Sequence, residues 1–181
     1  MEYSPRSMTL KDGRQAVLRL PRIEDSAEMA AYLDATSRET EFIARSPGER
    51  IPTVQEEEAY LTKLLADSHR LMIVCQVGEE VAGNCQIVFH HTPKTAHRGT
   101  VMIALLQRFW GLGIGSAMFD EMIRVAREKG LRQLELQVIV GNERGVALYQ
   151  KKGFQVVGRI PGAYRLSDGF HDELQMVLKL N

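Results

Sequence analysis

The chain has 181 residues, 44% apolar and 25% charged, with 23 Lys and Arg against 23 Asp and Glu. That length supports one sizeable core, so a single domain over 1–181 with its core at about 15–180 is expected. Balanced charge supplies no global field for nucleic acid or an anionic membrane, and no apolar run reaches spanning length.

The N-terminus, Met-Glu-Tyr-Ser-Pro-Arg-Ser, lacks the basic-then-apolar pattern of a secretory signal, so a cytoplasmic protein is expected. Val17–Leu20 alternates as a first strand. Glu24-Asp-Ser26 opens a helix carrying Ala27, Met29, Ala30 and Leu33 and stopping near Thr36. The segment 37–52, with Ser46-Pro47-Gly48, is polar and turn-rich. Thr53-x-x-Glu56 reads as a capping box for a helix to about Asp67, striped by Tyr60, Leu61, Leu64 and Leu65. Leu71–Val77 and Val81–His90 form a hairpin around Gly78-Glu79-Glu80. Cys75 and Cys85 lie near one another across it, without Cys-x-x-Cys spacing, and are expected to be reduced and half-buried. His90 and His91 point to opposite faces of a strand, so with His97 they read as solvent-side or substrate-side residues, and no metal is expected.

Thr100–Leu106 is the next strand, followed by Gly111, Gly113 and Gly115 where a helix begins. Amides there stay uncovered by side chains, and with the positive end of the helix dipole they suit a phosphate or pyrophosphate. A P-loop needs Gly-Lys-Ser/Thr, and Ile114-Gly115-Ser116 has no lysine. A dinucleotide fingerprint wants a third glycine where Ser116 stands, although Glu135 lies about 20 residues on, where a ribose-binding acid would sit. The helix buries Ile114, Met118, Met122 and Val125 and ends at Lys129-Gly130. Leu134, Leu136, Val138 and Val140 alternate with Gln133, Glu135 and Gln137 in a strand with one polar face. A short helix over Asn142–Lys151, a strand over Phe154–Gly158 and, beyond Pro161–Gly169, a last strand over Asp172–Leu180 complete the chain. Antiparallel strands followed by one β-α-β crossover exclude a doubly wound sheet.

Trp110-Gly-Leu-Gly-Ile-Gly115 resembles the coenzyme A pyrophosphate loop of the GNAT superfamily of N-acetyltransferases, Arg/Gln-x-x-Gly-x-Gly/Ala, with Trp110 in the Arg/Gln place. Arg108-x-x-Gly111-x-Gly113 fits the same pattern two residues out of register. Downstream, Asn142-Glu-Arg-Gly-Val-Ala-Leu-Tyr-Gln-Lys-Lys-Gly-Phe154 resembles the family segment Asn-x-x-Ala-x-x-Leu-Tyr-x-x-x-Gly-Phe. It matches at Asn142, Leu148, Tyr149, Gly153 and Phe154, with Gly145 replacing alanine. The resemblance implies an α/β fold: a mixed, mostly antiparallel sheet of about seven strands flanked by about four helices.

It also implies acetyl-CoA as co-substrate, direct attack by a primary amine, and no metal. Leu105 and Leu106 would contact pantetheine, while the turn at Gly111 and the amides of Leu112, Gly113, Ile114, Gly115 and Ser116 would hold the pyrophosphate. A backbone N–H near Ile103–Leu105 would be the oxyanion donor. Tyr149 matches the family tyrosine that protonates the departing thiolate, against the alternative that it only packs. Asn142 caps its helix and would bind pantetheine or water. Arg144 would either touch the nucleotide 3′-phosphate or be solvated, and Lys151 and Lys152 read as a solvated face. Glu41 and Glu135 are rival general bases, each with a solvated-carboxylate alternative. Asp172-Glu173 resembles a family stretch that either meets a cationic acceptor or flanks a strand. The acceptor is expected to be a small-molecule amine, with a peptide or ribosomal-protein N-terminus as the alternative and a non-catalytic acyl-CoA sensor as the reading from another class. Homodimerisation is expected from the same likeness.

Overall fold

A computed structural model describes residues 3–43 and 45–180. In chain order it contains β1 (Arg6–Thr9), β2 (Gln15–Arg19), α1 (Ser26–Glu39), α2 (Val54–Ala66), β3 (Arg70–Val77), β4 (Glu80–Phe89) and β5 (Arg98–Leu105). Then follow α3 (Ile114–Glu128), β6 (Gln133–Ile139), α4 (Glu143–Lys151), β7 (Gln155–Leu166) and β8 (Gly169–Lys179). The strand order is β1-β2-β3-β4-β5-β6-β8-β7. Strands β1–β2, β2–β3, β3–β4, β6–β8 and β7–β8 pair antiparallel. The parallel step joins Arg98–Thr100 of β5 to Gln133–Glu135 of β6. The mixed, mostly antiparallel α/β fold with four helices is as expected, with eight strands in place of about seven.

Three of the differences from the sequence expectation have a clear local reason. β1 was not foreseen: its residues are nearly all exposed, so no apolar alternation marks it, and the ladder to β2 defines it. α1 continues to Glu39 because the Thr36 hydroxyl donates to Tyr32 O at 2.8 Å and the Ser37 hydroxyl to Asp34 O at 2.8 Å. Back-bonded in this way, they do not compete for the backbone as cap residues would. β7 runs to Leu166 past Pro161, because the β7–β8 register shifts between Ile160 and Tyr164 and absorbs the proline on the outermost strand.

The chain packs as two compact units, 1–88 with 102–118 and 89–101 with 119–181. In the first, Leu18, Met29, Leu61, Ile73, Ile87, Leu106, Phe109 and Ile114 are almost completely buried. Arg19 and Asp25 form a buried pair at 2.6 and 2.9 Å that fixes the end of β2 to the start of α1. In the second, Phe119, Met122, Leu134, Phe154 and Met176 form the core. Burying each such large apolar side chain contributes roughly 1.5–3 kcal/mol. Cys75 and Cys85 are not joined in a disulfide, and they are fully buried where half-burial was expected. Burial pushes the Cys75 thiol up to about 12, which keeps it protonated and inert.

Candidate active site

The first unit holds the glycine turn. β5 stops at Leu105, and the Leu106 amide donates to Ala82 O of β4 at 3.0 Å. Gly83 makes that approach possible: a Cβ there would stand 2.6 Å from Ala104 O and 3.1 Å from Leu105 Cα. The Trp110 indole N–H donates to Leu105 O at 2.8 Å and so ties the turn back to the strand end. The sequence carries no signal for this tie, since Trp110 there only stands in the Arg/Gln place of the family loop.

Gly111 and Gly113 take φ of 78° and 99°, backbone that side-chain-bearing residues rarely adopt, and nothing lies within 4 Å of where either Cβ would project. The first helical bond of α3 runs from Ala117 N to Gly113 O at 3.1 Å. The amides of Ile114, Gly115 and Ser116 therefore precede the helical ladder, and no acidic residue occupies that first turn. The Lys11 amide steadies the turn by donating to Leu112 O at 3.2 Å. Arg108, which carries the alternative phasing, pairs with Glu80 and lies 3.9 Å from Glu39. Its charge is already answered by carboxylates.

The second unit holds the other motif. The Asn142 side chain caps α4 by accepting from Gly145 N at 2.9 Å. An alanine Cβ at 145 would stand 2.8–2.9 Å from that capping amide, which explains glycine in the alanine place. Tyr149 packs edge-to-face with Phe119 (centroids 5.3 Å apart) and Phe154 (6.4 Å). Its ring does pack, as the alternative reading held, and burial pushes the phenol up to about 12. Arg144 is an exposed residue of α4, and Lys152 pairs with Asp120 at 2.6 Å. Glu135 accepts from Arg98 and Thr100 and lies 3.3 Å from His90. It also lines a cavity of about 330 Å³ with Gln137, Val157 and Gln175. Asp172 accepts from Arg159 at 2.5 Å and from Gly162 N at 2.8 Å, so it ties the irregular stretch of β7 to β8.

A larger cavity of about 530 Å³ belongs to the first unit. Met29, Tyr32 and Leu33 of α1, Glu57 and Tyr60 of α2, Asn84 and Gln86 of β4 and Ala104 of β5 contribute to its wall. The volume suits a small ligand. Tyr32 donates to Ala104 O at 2.9 Å and fixes the strand on that wall. Glu41 is half-buried in the segment before Ile43 and Arg45, which also line the cavity. Glu57 was passed over in the sequence. The signal was there: the residues α2 buries are Glu57, Leu61 and Leu64, so a carboxylate occupies the i, i+4, i+7 stripe reserved for the core. Among the described residues there is no cluster of His, Cys, Asp and Glu able to hold a metal.

Comparison with known proteins agrees with these motifs. Residues 31–154 match the family model "Acetyltransferase (GNAT) family". The L-amino acid N-acetyltransferase AaaT of Escherichia coli (strain K12) is 30% identical over 88 residues, 48% of this chain, and the match covers only 54% of that protein's length. A Bacillus subtilis (strain 168) protein, provisionally named a [ribosomal protein bS18]-alanine N-acetyltransferase, is 27% identical over 69% of this chain and 79% of its own. A GNAT-family acetyltransferase structure from Streptococcus pneumoniae superposes with a TM-score of 0.84 at 28% identity, covering 92% of this chain and 99% of that one. With the glycine turn, the capped Asn142 helix and a family match over more than half its length, the chain belongs to the acetyltransferase (GNAT) family.

Proposed function

We propose that this protein transfers the acetyl group of acetyl-CoA to the primary amine of a small molecule by direct attack. The observation that carries the proposal is the uncovered run of amides from Leu112 to Ser116, on a turn whose Gly111 and Gly113 leave open space beside the backbone. Amides and helix dipole together favour a pyrophosphate. In this reading Leu105 and Leu106 offer backbone groups to pantetheine, with Asn142 and Arg144 as further cofactor contacts. An amide near Ile103–Leu105 donates to the carbonyl oxygen as it gains charge.

The amine must first lose a proton, since alkyl ammonium groups hold theirs to about pH 10. Of the two bases read from sequence, Glu135 is engaged by Arg98, and Glu41 stands close in the chain to the residues lining the large cavity. Tyr149, protonated throughout the neutral range, donates to the departing thiolate and supplies its proton as the amine gives one up. The relatives' names divide between a free amino acid and a ribosomal protein as acceptor. The cavity volume of about 530 Å³ favours the small acceptor.

Calorimetric titration of the cofactor-free protein with acetyl-CoA, and in parallel with NADH, tests the proposal. Acetyl-CoA alone is expected to bind. Binding of NADH alone, or of neither, would overturn it.

A further inference from the structure

Glu57 is 3% exposed, and its Oε1 is fully buried without a hydrogen-bond partner. Among the described residues it has no ion-pair partner, although its helix neighbour Glu56 is bound by Arg50 at 2.7 and 2.8 Å. A buried carboxylate left this way costs several kcal/mol unless something compensates it. It lines the about 530 Å³ cavity, with Met29, Leu33 and Met72 as apolar wall and Ala104 as part of the same wall.

We propose that Glu57 is the seat for the ammonium group of the acetyl acceptor, so that the cavity selects a primary ammonium carried on an apolar body. This rests on the acetyltransferase reading above, because Ala104 adjoins Leu105, the residue there assigned to pantetheine. An ammonium brings donors for the orphaned oxygen and the charge that a buried carboxylate lacks. The other polar groups on the cavity wall are already committed or neutral. The Tyr32 hydroxyl is on Ala104 O, Arg45 donates to Arg50 O at 2.8 Å, Glu56 is paired, and Asn84, Gln86 and Tyr60 are uncharged. Burial pushes the Glu57 carboxyl up, with the charge of Arg45 opposing, and an ammonium beside it would favour the carboxylate form.

The test is calorimetric titration of wild type and Glu57→Gln, each saturated with coenzyme A, which has no acetyl group to transfer, using benzylamine as its ammonium and benzyl alcohol as the uncharged control. Wild type is expected to bind benzylammonium at least tenfold tighter than benzyl alcohol, and E57Q to lose that preference while binding acetyl-CoA unchanged. E57Q should also melt no lower than wild type at pH 8, since it removes a buried charge and keeps the shape. Equal benzylammonium affinity in both proteins, or none in wild type, would overturn the assignment. If acetyl-CoA fails to bind but benzylammonium binding still depends on Glu57, the acetyl-transfer reading fails and the ammonium seat stands.

Discussion

Gly83→Ala is a sharp test of how the sheet positions the cofactor strand. Gly83 has an ordinary backbone conformation that alanine adopts freely, so the substitution is purely steric. The new methyl would lie 2.2 Å from Leu105 Cδ2, which can rotate away, but also 2.6 Å from Ala104 O, which is backbone and cannot. Restoring even a 3.0 Å separation moves β5 by at least 0.4 Å at the residues proposed to meet the thioester and pantetheine. Overpacking of this kind costs about 1–3 kcal/mol. At about 2–4 °C per kcal/mol for a chain of this size, Tm should fall by roughly 2–12 °C. Loss of one backbone hydrogen bond to pantetheine, about 1 kcal/mol, would weaken acetyl-CoA about fivefold. Differential scanning calorimetry and acetyl-CoA titration read the two effects separately. A lower Tm with unchanged affinity would refute the assignment of Ala104–Leu105 to the cofactor, and an unchanged Tm would refute the close approach itself.

Tyr149→Phe keeps the packed ring and removes only the hydroxyl, so acetyl-CoA should bind normally while turnover falls roughly 10²-fold or more, as expected for loss of a general acid; unchanged turnover would leave Tyr149 a packing residue. Trp110→Phe removes the indole bond to Leu105 O, costing about 0.5–1.5 kcal/mol in urea unfolding and weakening acetyl-CoA severalfold; wild-type values for both would show that the turn needs no tie to β5. The Tyr149 phenol, up from 10.0 to about 12 through burial, stays protonated in the fold while the unfolded chain loses its proton. Stability from this group is therefore full below pH 10 and is lost as pH rises towards 12, by about 2–3 kcal/mol, with Tyr32 acting in the same direction. Urea midpoints measured from pH 8 to 11.5 should fall above pH 10, and less steeply in Y149F.

What the sequence revealed was whatever local chemistry fixes. The capping box at Thr53 and Glu56, the Gly111 and Gly113 turn and the Asn142 cap each depend on residues within a few positions, and each stands where the pattern put it. What it hid depends on distant partners. The edge strand Arg6–Thr9 exists because Gln15–Leu18 pairs with it, and exposed residues carry no periodicity to announce it. Glu135 reads as a polar-face carboxylate, either a base or a solvated group, and its contact with Arg98 of β5, 37 positions away, has no local signal.

Glu57 shows the same limit from the other side. A stripe analysis that counts only apolar residues sees Leu61 and Leu64 and shifts the buried face of α2 towards Tyr60 and Leu65, because a glutamate is taken as a solvent marker. The helix instead turns its carboxylate inward with the leucines, and Tyr60 is 36% exposed. Core packing alone gives no reason for this: a leucine at 57 would fill the stripe without the desolvation penalty. A charged residue on a core stripe, with no internal partner, is best explained by a ligand that brings the missing charge. By that argument Glu57→Leu should raise Tm while abolishing the preference for benzylammonium over benzyl alcohol. Lower stability in E57L would mean instead that the carboxylate has a structural partner within the fold.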